Sequence, residues 1–131
     1  MGFSYHGFEG FTWYPVNLII YFEYKKNKSS YFLDIESILY FTVYGHVIEI
    51  ICEDGIISYY GKLADIVSLY PDFVYCNRSY VVNKNKIKKV NSSTLLLVDN
   101  TEIPLSRTYK RVIKKLLKGL GQNTKFYNFS T

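Results

Sequence analysis

FVYCNRSYVVNKNKIKKV, residues 73–90, decides how the chain is read. It opens as a buried strand, breaks at Asn77-Arg78-Ser79, resumes with an apolar pair and ends in Lys84, Lys86, Lys88 and Lys89. A core requires the Val and Tyr residues, but it gives no reason for a polar insert between two apolar segments. An arginine flanked by small polar groups there projects from a loop, where its guanidinium can fork onto a guanine edge or a phosphate. The competing reading is an internal ion pair with Asp72 or Asp99. Along 86–90, strand alternation sets Lys86 and Lys88 on one side, opposite Ile87.

Outward from this stretch the chain reads as mostly β. Aromatics make up 18% of the 131 residues, and such side chains suit a pleated, half-buried surface. Upstream, residues 18–24 and 31–35 read as strands around the turn KKNKSS, and SILYFTV as another ending at Tyr44-Gly45-His46. VIEIIC, the turn EDG and IISYY form a hairpin. Leu63, Ile66, Val67 and Tyr70 recur at helical spacing, and Pro71 stops that helix. FVYC and KIKKV are strands, and TLLLV, Asp99-Asn100 and TEIPL form a second hairpin. After Ser106, a suitable N-cap, a helix carries Tyr109, Val112, Ile113, Leu116, Leu117 and Leu120 as one apolar stripe. Lys110, Arg111, Lys114, Lys115 and Lys118 take its other side, and Gly119 or Gly121 can end it.

Charge is segregated. Residues 1–61 hold three Lys against seven Asp and Glu, a net −4, whereas residues 62–131 hold thirteen Lys and Arg against four acids, a net +9. Such a field suits a polyanion, although a solvated basic face would also produce it. Two cysteines, Cys52 and Cys76, are too few for a disulfide framework and have no metal-ligand spacing around them. The start has no signal-peptide pattern and the apolar run Leu18–Phe22 is too short to span a bilayer, so the expectation is a cytoplasmic chain without a membrane partner. The leader MGFSYHGFEGFTWYP is too aromatic for a linker and is expected to bury Trp13. Catalysis finds little support. His6 and His46 lack a nucleophile motif, and no P-loop, dinucleotide fingerprint or zinc spacing appears.

Taken in order, Phe73, Asn77-Arg78-Ser79-Tyr80, Val81-Val82-Asn83, Ile87 and Leu105-Ser106-Arg107 resemble the LytTR family of bacterial DNA-binding domains, the output half of AlgR- and AgrA-type response regulators. DIESILYFTVYGHVIEI and YYGKLADIVSLYPDF extend the resemblance upstream. It implies an elongated fold of about ten strands with a short internal helix and a C-terminal basic helix. It divides the chain into an aromatic extension (1–21), the LytTR domain (22–118) and a tail (119–131). It implies no enzymatic activity and no cofactor. The implied activity is sequence-specific transcriptional regulation, with loops set into successive major grooves. The implied partner is double-stranded DNA in paired direct repeats, with two copies of the chain bound and an upstream regulator acting on them. The implied contacts are His46, Arg78 and Arg107, with Asn77 standing where the family has His, and Lys84, Lys86, Lys110, Arg111 and Lys114 in support. Ser79 and Asn83 are expected to fix the Arg78 loop through local hydrogen bonds. Two other readings remain: an interaction module of the same fold that sequesters another regulator, and a hydrolase with His46 beside a nucleophile.

Overall fold

A computed structural model describes residues 18–124, so the expected burial of Trp13 lies outside the described residues. Ten strands and two α-helices follow in order: β1 (Tyr21–Lys26), β2 (Ser29–Asp34), β3 (Ile38–Tyr44), β4 (Val47–Cys52), β5 (Gly55–Tyr60), α1 (Leu63–Leu69), β6 (Phe73–Asn77), β7 (Tyr80–Asn83), β8 (Ile87–Val90), β9 (Thr94–Leu97), β10 (Glu102–Pro104) and α2 (Arg107–Thr124). Short 3-10 turns at Ile35–Ser37 and Lys84–Lys86 lead into β3 and β8. The expected mostly β class, with one short internal helix and one basic C-terminal helix, is the observed one.

The centre is a five-stranded antiparallel sheet in the order β5-β4-β3-β7-β6, flanked by the hairpin β1-β2 and by a three-stranded sheet β10-β9-β8. Both faces of the central sheet are covered. On one, Phe22, Tyr24 and Ile35 meet Phe41, Ile48, Ile50, Phe73 and Val81, with Leu63 and Ile66 of α1. On the other, Leu39, Cys76 and Val82 meet Leu95, Leu97, Ile103, Leu105 and Ile113 of α2. Burial on both faces explains why these strands read as continuous apolar runs rather than as clean alternations. A bulge between Ile38 and Tyr40 turns both Leu39 and Tyr40 toward the second core.

Turn chemistry sets the hairpins. Asn27 and Lys28 both have positive φ, 53° and 69°, as a type I′ turn between β1 and β2 requires. Gly45 has φ +60° at the first position of the two-residue loop between β3 and β4, the place where a type II′ turn needs glycine.

Three expectations are corrected. YVVN, unassigned by the strand pattern, is β7, paired between β3 and β6. α2 passes through Gly119 and Gly121 to Thr124, so neither glycine ends it. Among the residues whose side chains are described, its covered stripe is Tyr109, Ile113 and Leu117, spaced four apart, while Val112 and Leu116 stay exposed; Leu120 lies outside them. α2 packs along β6, the edge strand of the central sheet, where Tyr109 stacks on Tyr75.

Candidate nucleic-acid interface

Strand direction gathers three of the singled-out residues, His46, Arg78 and Arg107, at one end of the central sheet. β7 pairs antiparallel with β3 through Thr42↔Tyr80, so the loop Arg78-Ser79 sits beside the far end of β3. Two residues past Thr42, about 7 Å, β3 ends at Tyr44, and the Gly45-His46 turn to β4 exposes His46. α2 begins at that end too, because the Ser106 amide donates to the carbonyl of Cys76 at 2.9 Å. Arg107 follows immediately. Ser106 also caps the helix, its Oγ accepting from the Tyr109 amide at 3.3 Å. Tyr109 stacks on Tyr75 of β6 at 5.6 Å between ring centroids, fixing the first turn of α2 against the sheet edge.

His46, Arg78 and Arg107 are all exposed. Arg78 makes no ion pair among the described residues: Asp72 lies 3.9 Å from Lys84, and Asp99 bonds the amide and hydroxyl of Thr101. The internal-ion-pair reading of Arg78 therefore finds no partner in either acid. Nor does any hydrogen bond among the described residues join the His46 side chain to a hydroxyl or thiol, so the hydrolase reading lacks its dyad.

The loop carrying Arg78 is braced from three sides. Asn77 Oδ1 accepts from the Ser79 amide at 2.8 Å, and Asn77 Nδ2 donates to the Pro104 carbonyl at 2.9 Å. Thr42 Oγ1 donates to the Ser79 carbonyl at 3.0 Å. Thr42 escaped the sequence reading. Its signal was the one non-aromatic polar side chain in the run ILYFTVY.

Asn83, expected to brace the same loop, does something else. It is fully buried at the opposite end of β7, donating to the carbonyls of Ile35 (3.2 Å) and Ile38 (2.9 Å) and accepting from the Asn85 amide (3.1 Å). Lys84 and Lys86 lie at that opposite end as well. Lys86 sits 3.3 Å from Glu53 and 3.8 Å from Glu36, with its side chain only 14% exposed. The expected pairing of Lys86 and Lys88 across Ile87 does not occur, since Lys86 belongs to the 3-10 turn and a bulge between Ile87 and Lys89 interrupts the alternation. The sequence thus supplied cations of two kinds: free ones at one end of the sheet, and ones engaged by carboxylates at the other.

α2 extends the free set. At about 100° per residue, Lys110, Lys114, Arg107, Lys118, Arg111 and Lys115 fall in one sector roughly 140° wide. Val112 and Leu116 lie on the flank opposite that sector. Lys110 Nζ also donates to the Ser92 carbonyl at 3.3 Å, tying the helix to the β8-β9 loop. No acidic residue interrupts α2. Behind this end, burial pushes the Cys76 thiol up to about 12.

Comparison with known proteins gives a consistent picture. Residues 28–118 match the LytTr DNA-binding domain family. The sensory transduction protein LytT of Bacillus subtilis (strain 168) is 45% identical over 51 residues, which is 35% of this chain and 21% of that protein. The chain thus corresponds to about a fifth of that relative's length. Among solved structures, a LytTr DNA-binding domain from Bacillus cereus shares the fold with a TM-score of 0.61 at 22% identity, over 74% of this chain and 95% of that one.

Proposed function

The chain belongs to the LytTr DNA-binding domain family, and from that premise we propose that it is a sequence-specific transcriptional regulator that sets loops from one end of its central sheet into the DNA major groove. His46, Arg78 and Arg107 contact base edges in this reading, and Arg111, Lys114 and Lys110 grip phosphates. A guanidinium held on a short loop presents a fork suited to guanine, whereas long lysines along a helix follow backbone charge without reading sequence. The observation that carries the proposal is the braced, unpaired Arg78 beside the start of α2. Paired direct repeats, two copies on the DNA and an upstream signalling protein complete the proposal. The B. subtilis relative is a sensory transduction protein, which accords with the last. Such a regulator works in the cytoplasm.

The test begins with selection of bound fragments from the source genome, followed by paired titration against the selected and scrambled duplexes. Arg78→Ala should cost about 1–3 kcal/mol on the selected site and much less on the scrambled one. Equal losses on both would reduce Arg78 to a phosphate contact. No retention on DNA or heparin at low salt would overturn the DNA-binding reading itself. That second outcome would favour the interaction module, for which exposed Val112 and Leu116, one turn apart on α2, supply a contact surface.

A further inference from the structure

Resting on the DNA-binding reading above, we propose that Asn77 is not a base contact but the positioning residue that fixes where Arg78 points relative to Arg107, with Thr42 fixing it relative to His46. The loop between β6 and β7 has only two residues, Arg78 and Ser79, and neither has positive φ. A two-residue hairpin without positive φ works against the right-handed twist of its strands, so it needs outside support. One accommodation is the irregularity between Tyr75 and Asn77, which adds local twist. The other is the Asn77 side chain. Its Oδ1 closes a local turn onto the Ser79 amide at 2.8 Å, and its Nδ2 reaches 27 residues along the chain to the Pro104 carbonyl at 2.9 Å.

That second bond matters most. Pro104 ends β10 and lies three residues before Arg107. One side chain therefore couples the turn bearing Arg78 to the segment delivering Arg107. The backbone bond from the Ser106 amide to the Cys76 carbonyl runs parallel to it. Thr42 adds the third anchor from β3, whose own turn carries His46. With both polar atoms of the amide engaged inside the protein, Asn77 is ill placed to read a base edge bidentately, which would require both at once. The loop is also short enough that a small tilt is amplified along the long arginine side chain.

The experiment compares Asn77→Ala and Thr42→Val, alone and combined with Arg78→Ala, against the selected and scrambled duplexes. Amide exchange of Ser79 is followed in each free protein. In the expected result Asn77→Ala accelerates Ser79 exchange, loses about tenfold on the selected duplex and little on the scrambled one. In the Arg78→Ala background the same substitution then loses almost nothing further. Thr42→Val, nearly isosteric, should show the same pattern more weakly. If the losses from Asn77→Ala and Arg78→Ala multiply, Asn77 acts independently of Arg78 and the inference is overturned. Unchanged Ser79 exchange in Asn77→Ala overturns it as well. The exchange arm needs no DNA, so a protein that bound no duplex would fail the functional reading while the bracing role could still be judged. Denaturation midpoints of both variants identify any loss that comes from unfolding.

Discussion

Removing the Asn83 side chain should be among the most costly single changes in this domain, and it should leave DNA discrimination alone. Asn83→Ala deletes two donated bonds, to the Ile35 and Ile38 carbonyls, and one accepted from the Asn85 amide, at a fully buried position. The Ile35 carbonyl keeps a second partner, the Ile38 amide that closes the 3-10 turn. Asn85 is exposed, so its amide can recruit water. The full penalty of about 1–3 kcal/mol per unsatisfied buried group then falls mainly on the Ile38 carbonyl, with smaller losses at the other two, or about 2–4 kcal/mol in all. For a domain of this size each kcal/mol shifts Tm by about 4–8 °C, so a drop of roughly 8–32 °C is expected. Urea denaturation followed by far-ultraviolet circular dichroism should show a lower midpoint with unchanged slope. Asn83→Asp should be worse than Ala at neutral pH, because a carboxylate would face two carbonyl oxygens. Its buried carboxyl has a folded pKa raised above the unfolded one, so stability recovers as pH falls through that folded pKa and is lost as pH rises through it. A loss below 1 kcal/mol for Asn83→Ala would refute the assigned role. So would a collapse of sequence discrimination in the folded variant, since Asn83 lies at the end of β7 away from Arg78.

Lys86→Gln should leave DNA affinity unchanged, whereas Lys114→Ala should weaken selected and scrambled duplexes alike and reduce the salt slope by about one, as measured by fluorescence anisotropy. Cys76 should resist alkylation at pH 8 in the native protein and react on unfolding. Its folded pKa of about 12 stands above the unfolded value of 9.0, so the stability linked to this group is complete below pH 9. Above pH 9 that stability falls as pH rises toward the folded pKa, and Cys76→Ala should show a shallower alkaline loss in urea midpoints. Gly45→Ala meets no steric obstacle, since nothing lies within 4 Å of an added Cβ, but φ of +60° should still cost about 1–2 kcal/mol in thermal unfolding.

How far the sequence could be read depended on what each residue answers to. Turns were legible because they are local: Asn27-Lys28, Gly45-His46 and Asp99-Asn100 announce themselves by residue type. β7 was not, because Val81 enters one core and Val82 the other, leaving no alternation to detect. The apolar stripe of α2 was read two residues too wide, since periodicity reports what could be covered and not what packs against it. For the candidate site, the resemblance supplied His46, Arg78 and Arg107, while their gathering at one end follows from strand pairing. Lys86 looked like its neighbours because Glu53, 33 residues away, meets it only in the folded chain. Asn83 was given the wrong task, and the internal bonds of Asn77 stayed hidden, for the same reason. Their partners, Pro104 and Ile35, lie 27 and 48 residues away.

The double coverage of the central sheet has a consequence for how folding finds the correct pairing. In a sheet with one wet face, a strand that slips by one residue turns its apolar set to water and is rejected at once. Slipping β7 against β3 would incur far less penalty of that kind, because Val81 and Val82 are both at home in a core, as are Leu39 and Phe41. Hydrophobicity alone therefore discriminates poorly between the native alignment and its nearest competitor. The decision passes to the few polar fastenings that fit in only one alignment: Asn83 against Ile35 and Ile38 at one end, Thr42 against Ser79 at the other. These bonds would act as proofreading contacts, and their loss should show as slowed or heterogeneous refolding.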